Sequence, residues 1–259
     1  MSGWAGGDFG SRAQCVLAPN PGIMTLDGTN TWVLREPGSR RSVVVDPGPL
    51  DEAHLDRVVE AAGEVGVVLL THGHADHSEA AKAFAGRVGC GVRALDPQHR
   101  HGGEGLHDGD VVSVDGLEVH VVGTPGHTSD SLSFVVPAER AVLTGDTVLG
   151  RGTTVVAHPD GKLGAYLDSL HRLRDLAEAQ GLHVVWPGHG PVIEDALAAL
   201  DFYLSHRRDR LEQVREALRT LGDDASPRAV VEHVYVDVDP VLWGAAELSV
   251  RAQLDYLRG

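Results

Sequence analysis

Residues 72–77 read His-Gly-His-Ala-Asp-His and follow directly on the apolar run Val65-Gly66-Val67-Val68-Leu69-Leu70-Thr71. Four good metal ligands, His72, His74, Asp76 and His77, thus sit at the mouth of a predicted strand. Imidazole nitrogen and carboxylate oxygen are the donor set for Zn²⁺ and related borderline cations. Alternating His72 and His74 can converge on one ion, while Asp76 and His77, as the chain turns, can face a second. A chance cluster of surface histidines is the bland alternative, but the block does not stand alone.

Three more ligand candidates occur in the same local setting. His127 lies in Thr124-Pro125-Gly126-His127-Thr128, Asp146 in Leu143-Thr144-Gly145-Asp146-Thr147, and His189 in Trp186-Pro187-Gly188-His189-Gly190. Each follows an apolar, strand-like stretch punctuated by Gly or Pro, residues that set sharp turns and allow close backbone approach. A core histidine or a turn aspartate would account for any one of them; the repetition of strand, turn and ligand argues against that for all three.

Together with Asp46, at the end of Val43-Val44-Val45-Asp46-Pro47-Gly48, these residues resemble the five ordered motifs of the metallo-β-lactamase superfamily over about residues 10–200. The resemblance implies an αββα sandwich with the ligand loops gathered along one edge of its two sheets. It implies that His72, His74 and His127 bind a first metal, that Asp76, His77 and His189 bind a second, and that Asp146 bridges the two. Asp46 would be an outer carboxylate steadying the histidine loop. Two zinc ions per chain are expected, with iron or manganese as alternatives set by supply.

Hydrophobic periodicity gives the same order of elements. Short strands are predicted at 14–17, 30–34 and 42–45, a helix over 51–62, a strand at 66–70 and a helix starting near Ser78 as N-cap. Strands near 111–114, 117–122, 131–136 and 140–144 follow, then a helix near 163–179 and a strand near 182–186. After Pro191 the pattern becomes helical: a long helix over 194–221, a break at Gly222–Pro227, and helices over about 227–235 and 239–257. The expected division is a catalytic domain over 1–193 and a helical subdomain over 194–259. That three-helix tail, with Leu149–Thr154 and Tyr203–Arg207, resembles the winged-helix-like tail of one superfamily branch. The branch includes a mitochondrial endoribonuclease and several bacterial hydrolases. This chain stops at Leu257-Arg258-Gly259, before any β-wing.

Composition bounds the rest. With 22 Lys and Arg against 37 Asp and Glu, the net charge of −15 argues against a long polyanionic partner such as DNA. Residues Met1–Gly7 carry no basic and apolar leader, and no run is apolar enough to span a membrane, so a cytoplasmic location is expected. Cys15 and Cys90 read as free thiols. Oligomeric state is not legible.

The chemistry follows from the ligand set. Two divalent ions about 3.5–4 Å apart can hold a hydroxide whose pKa has fallen from ~15.7 to ~7, so no Ser or Cys nucleophile is needed. Asp76, the catalytic candidate, can bind the second metal with one oxygen and orient the hydroxide or accept its proton with the other. Asn30, Arg151 and His206 are candidate substrate contacts, the first two by resemblance and His206 because it begins the tail that would pack beside the metal edge. His54, His99, His101, His107, His120, His158, His171, His183 and His233 read as surface or capping residues. Bridging carboxylates such as Asp146 mark the glyoxalase II-like, ribonuclease Z-like and lactonase-like branches, whereas true β-lactamases lack one. The expected activity is hydrolysis of a small thioester, ester or lactone. The alternative is a single-strand-specific endoribonuclease, supported by Arg207, Arg208 and Arg210 but diluted by Asp209, Glu212 and Glu216.

Overall fold

Neighbouring residues of a strand face opposite sides of its sheet, and here both sides are apolar. Val43, Val45 and Leu69 join one interior cluster, while Val44, Val68 and Leu70 join another. Sheets buried on both faces need helices outside them. The chain is described as a computed structural model over residues 3–236 and 238–258. Met1, Ser2 and Gly259, on which the leader and wing expectations partly rest, lie outside the described residues, as does Asp237.

The first sheet runs in the order β1 (Gly6–Phe9), β2 (Ala13–Leu17), β3 (Asn30–Leu34), β4 (Arg41–Val45), β5 (Glu64–Leu69) and β6 (Gly91–Arg93). Its first four strands pair antiparallel and its last three parallel. Helices α1 (Glu52–Ala62), α2 (Ala75–Ser78) and α3 (Ala81–Val88) fall between these strands. The second sheet contains β7 (Val111–Val114), β8 (Leu117–Gly123), β9 (Leu132–Val136), β10 (Ala141–Gly145) and β11 (Val184–Pro187), with α4 (Leu163–Gln180) joining β10 to the parallel β11. The tail consists of α5 (Ala196–Leu221), α6 (Pro227–Val234) and α7 (Trp243–Arg258).

Trp32, Val43, Leu69, Phe134, Leu143 and Trp186 fill the space between the sheets, with Trp32 and Trp186 stacked at 5.3 Å between ring centroids. Leu55, Val58 and Phe84 cover the first sheet from outside, and Tyr166, Leu170, Leu200 and Tyr203 cover the second. These layers form the αββα sandwich. Hydrophobic packing continues across the expected boundary at 193/194. The first half of α5 shares its cluster with α4, whereas its second half packs with α6 and α7 in a separate one. Helix α7 returns to the sandwich, placing Ala252 in the α4 cluster and Tyr256 against Gly164. Both cysteines are free, and no described helix is long and apolar enough to cross a membrane.

Local differences from the sequence reading have physical causes. The helix expected from Ser78 is two pieces. Ser78 ends α2 and its hydroxyl donates to the Gly73 carbonyl at 3.0 Å, while α3 starts behind Ala80 with no side-chain cap. The last helix begins at Trp243 because Pro240 first opens a short 3₁₀ turn capped by Asp239. Strand β1, with its two glycines, has weak intrinsic propensity and exists through its pairing with β2.

His54 is another correction. It is not a surface or capping residue but fully buried. The Thr31 hydroxyl donates to the Asp46 carbonyl at 2.7 Å, so it must accept from His54 Nε2, 3.0 Å away. Burial, reinforced by Arg57, pushes the His54 pKa from 6.5 down to about 4. A histidine neutral in the fold but protonated in the unfolded chain costs stability as pH falls through 6.5 toward 4. At most about 3 kcal/mol is involved. Urea midpoints measured from pH 7 to 4.5 should fall in the wild type and fall less steeply in His54→Gln; parallel profiles would refute this.

Candidate metal centre

The candidate ligands stand just beyond strand ends. Asp46 follows β4, His72 and His74 follow β5, Asp146 follows β10, and His189 follows β11. His127 lies in the loop after β8, and Asp76 and His77 occupy the single turn of α2. Parallel pairing of β4 with β5 and of β10 with β11 brings these ends to one edge of the sandwich.

Two groups of donors form there. His74 Nδ1 lies 3.0 Å from His72 Nε2 and 3.1 Å from His127 Nε2. His189 Nε2 lies 3.2 Å from His77 Nε2 and 3.1 Å from Asp76 Oδ2. Asp146 stands between the groups. Its Oδ2 is 3.6 Å from His127 Nε2, and its Oδ1 is 3.4 Å from both His77 Nε2 and His189 Nε2.

The far nitrogens decide which atoms are free. His127 Nδ1 faces the Val155 carbonyl at 2.8 Å and His189 Nδ1 the Gly28 carbonyl at 3.1 Å; only an N–H can bond there. His77 Nδ1 faces Asp46 Oδ2 at 2.8 Å. The Thr71 hydroxyl donates to Asp46 Oδ2 at 2.6 Å and therefore accepts from His72 Nδ1 at 3.0 Å. Each Nε2 is thereby left with its lone pair directed inward. Lone pairs facing at about 3 Å repel, and a shared cation converts the repulsion into coordination. Asp146 Oδ1 is buried without a hydrogen-bond partner, the signature of an acceptor built for something other than a protein donor. The residues therefore fit a divalent metal site.

Electrostatics agree with that reading. Burial raises the Asp146 pKa, but His189 and His77 outweigh it and hold the carboxyl well below its usual range. Burial and neighbouring His77 push His72 well down. Burial opposes charge on His189, yet Asp146 raises its pKa to about 9.

Asp46 ties these parts together. It is 1% exposed and adopts a left-handed φ of 52°, which aspartate tolerates. Besides the two bonds to Oδ2, its Oδ1 accepts from the Thr71 amide at 2.8 Å. Asp46→Asn preserves that backbone preference but turns one acceptor into a donor aimed at other donors. It should lower metal affinity and activity about 10–100-fold. Competition with a chromophoric chelator measures the first; unchanged affinity would contradict the assigned role.

Asn30 is not a substrate contact. It is fully buried, donates to the carbonyls of Pro187 and Gly190 at 2.9 Å each, and accepts from Trp4 Nε1 at 2.8 Å. It fixes the loop carrying His189, which also needs Gly188: a Cβ there would come within 2.7 Å of Asp146 Oδ1. Arg151 and His206 do line a cleft of about 350 Å³ that reaches His127 and Asp146. Arg151 is half-exposed and paired with Asp27, while His206 Nδ1 is buried without a partner and burial lowers its pKa.

One contributor escaped the sequence reading, and a second was read there only as one of a run of basic residues. Thr71 relays Asp46 to His72, and its only signal was its place immediately before the ligand block. Arg207 falls on the apolar stripe of α5 with Leu200, Tyr203, Leu211 and Val214, all buried. A charge on such a stripe was the available signal.

Known proteins share this frame. The profile of the metallo-beta-lactamase superfamily matches residues 24–225. A "Beta-lactamase-like protein 2 homolog" from Drosophila melanogaster is 30% identical over 93% of this chain and 86% of its own. An "Atrochrysone carboxyl ACP thioesterase" from Aspergillus chevalieri is 35% identical over 80% of this chain and 66% of its own. The chain spans 62 to 66% of the length of several curated fungal relatives that it matches, that thioesterase among them. A beta-lactamase domain protein from Burkholderia ambifaria superposes with a TM-score of 0.81 at 22% identity, covering 100% of this chain and 89% of that one, a likeness of fold. With its sandwich, its ligand edge and these relatives, the chain belongs to the metallo-β-lactamase superfamily.

Proposed function

We propose that the chain is a dinuclear hydrolase of small thioesters, with esters and lactones as related substrates. The observation that carries this is Asp146, whose two oxygens face the two donor groups from between them. His72, His74 and His127 would hold one ion, Asp76, His77 and His189 the other, and zinc is the expected metal. Bound there, the metals would supply Lewis acidity and activate water at neutral pH.

The chain's own residues do the rest. Asp76 spends Oδ2 on the His189 side; its side chain remains 29% exposed, so its other oxygen can take a proton from an attacking water. Asp46 and Thr71 hold His72 and His77 in one tautomer. The cleft beside His127 and Asp146 has Leu26, Leu149, Val155 and Leu242 in its wall and suits an apolar acyl group. The thioesterase name of the Aspergillus relative supports a carbonyl substrate, and a small-molecule substrate fits a cytoplasmic location.

A panel of thioesters, lactones, β-lactams and short single-stranded RNAs, run on metal-loaded protein, tests this. Thioesters or lactones should turn over and β-lactams should not. Efficient RNA cleavage that is lost in His72→Ala and falls with salt at a log–log slope of about −0.7 per phosphate contact would replace the reading with a ribonuclease. Elemental analysis should give two ions per chain after chelator-free purification; one or fewer would remove the dinuclear centre.

A further inference from the structure

Arg207 is 5% exposed, yet no carboxylate lies within ion-pair distance of it among the described residues. One terminal nitrogen donates to the Thr154 carbonyl, the guanidinium sits 4.9 Å from the centre of the Tyr166 ring, and Nε is buried with no partner. Arg210, one turn along α5, likewise has no acidic partner among the described residues; it lies 4.2 Å from the Tyr235 ring and bonds Gln213 Oε1 at 2.9 Å. Both arginines line the cleft that reaches His127 and Asp146. In a chain of net charge −15, most surface arginines of this tail have found a carboxylate, as Arg215, Arg219, Arg228 and Arg251 have.

A buried guanidinium without a counter-charge is costly. Asp146, the nearest acid lining the cleft, is already turned toward three histidines. Apolar side chains, Met24, Leu26, Leu149, Val155 and Leu242 among them, supply much of the remaining wall, beside Arg151, which is paired with Asp27, and His206. A cavity with a candidate metal edge, largely apolar walls and two guanidiniums that have no carboxylate partner among the described residues selects a ligand that is apolar along its body and anionic at one end.

We propose that the substrate is an amphipathic acyl compound whose anionic end is received by Arg207 and Arg210 while its carbonyl lies at the His127–Asp146 edge. Arg207 and Arg210 are then specificity-determining residues. The proposal rests on the thioester reading of the metal centre for the reaction, but not for the binding of the anion.

The test therefore has a binding arm and a kinetic arm, both on the full zinc-loaded chain. In the first, calorimetry compares 1-hexanesulfonate, whose sulfonate is a poor metal ligand, with 1-hexanol. The wild type should bind the sulfonate at least about tenfold more tightly. Arg210→Gln and Arg207→Lys should each lose most of that difference; Arg207→Lys keeps the charge and guards against a folding failure at the buried site. Arg208→Gln should keep it, because Arg208 turns away from the cleft to Ser205. Equal binding of sulfonate and alcohol, or variants at 207 and 210 indistinguishable from wild type, overturns the proposal.

In the kinetic arm, N-acetylcysteamine thioesters of adipic and hexanoic acid are compared by kcat/KM. A preference of about tenfold for the adipoyl ester is expected, lost in Arg210→Gln. Hydrolysis of both esters without preference overturns the proposal and leaves the thioesterase reading intact. Arginine-dependent sulfonate binding with neither ester hydrolysed does the reverse.

Discussion

Asp76→Ala should lower kcat/KM for a small thioester at least about a thousandfold, which corresponds to roughly 4 kcal/mol of lost transition-state stabilisation. The side chain is the one carboxylate in the second donor group and is 29% exposed, with Oδ2 3.1 Å from His189 Nε2 and 3.5 Å from His77 Nε2. On the proposed reading, its removal would take a metal ligand and a proton acceptor together. Metal content should fall toward one ion per chain, because His72, His74, His127 and Asp146 remain. Folding should hardly notice: Asp76 is partly exposed, and its loss removes one of two carboxylates that oppose each other. A variant within tenfold of wild type, at full metal loading, would show that the proton goes elsewhere.

Gly126→Ala carries the largest expected effect on stability. Gly126 adopts a φ of 139°, and a Cβ built there falls 2.3 Å from Tyr166 Cα and 2.4 Å from its backbone nitrogen. Backbone cannot swing aside as a side-chain tip can. Either α4 shifts, with Tyr166 and its hydrogen bond to the Thr147 carbonyl, or the loop carrying His127 does. Overpacking and a strained φ together put the cost at about 4 kcal/mol or more. In a chain of this size that is a fall in Tm of about 8–16 °C. Gly86→Ala is the control. It sits exposed in α3 with nothing within 4 Å of the built Cβ, so alanine should be neutral or slightly stabilising. Equal melting temperatures for the two variants would show that the contact is relieved cheaply.

What could be read beforehand depended on how local the determinant was. Val43-Val44-Val45-Asp46 and Val67–His72 announce strand and ligand together, because alternation, β-branching and the donor type all lie within a few residues. The same holds at His127, Asp146 and His189, where Gly and Pro mark the turns, and the αββα arrangement followed from the order of these units. Burial of single polar residues did not announce itself. Asn30 looks like a cleft residue until β3 is seen to pass beneath the His189 loop. His54 looks like a solvated helical residue until Thr31 and Asp46 close over it. Arg207 was counted with Arg208, which is exposed, and Arg210, which is half-buried, although its place on the stripe of α5 separated it from them. In each case the deciding partner lies far away in the chain, where no local pattern reaches.

The two donor groups are also completed at different times as the chain is made. His72, His74, His127 and Asp146 are all present once the first strands of the second sheet have been synthesised, whereas His77 and Asp76 wait for His189, beyond the whole of α4. If each group holds an ion, as proposed above, a chain elongating from its N-terminus would complete the first position while the second still lacks a wall, and loading would have a direction set by the order of the elements.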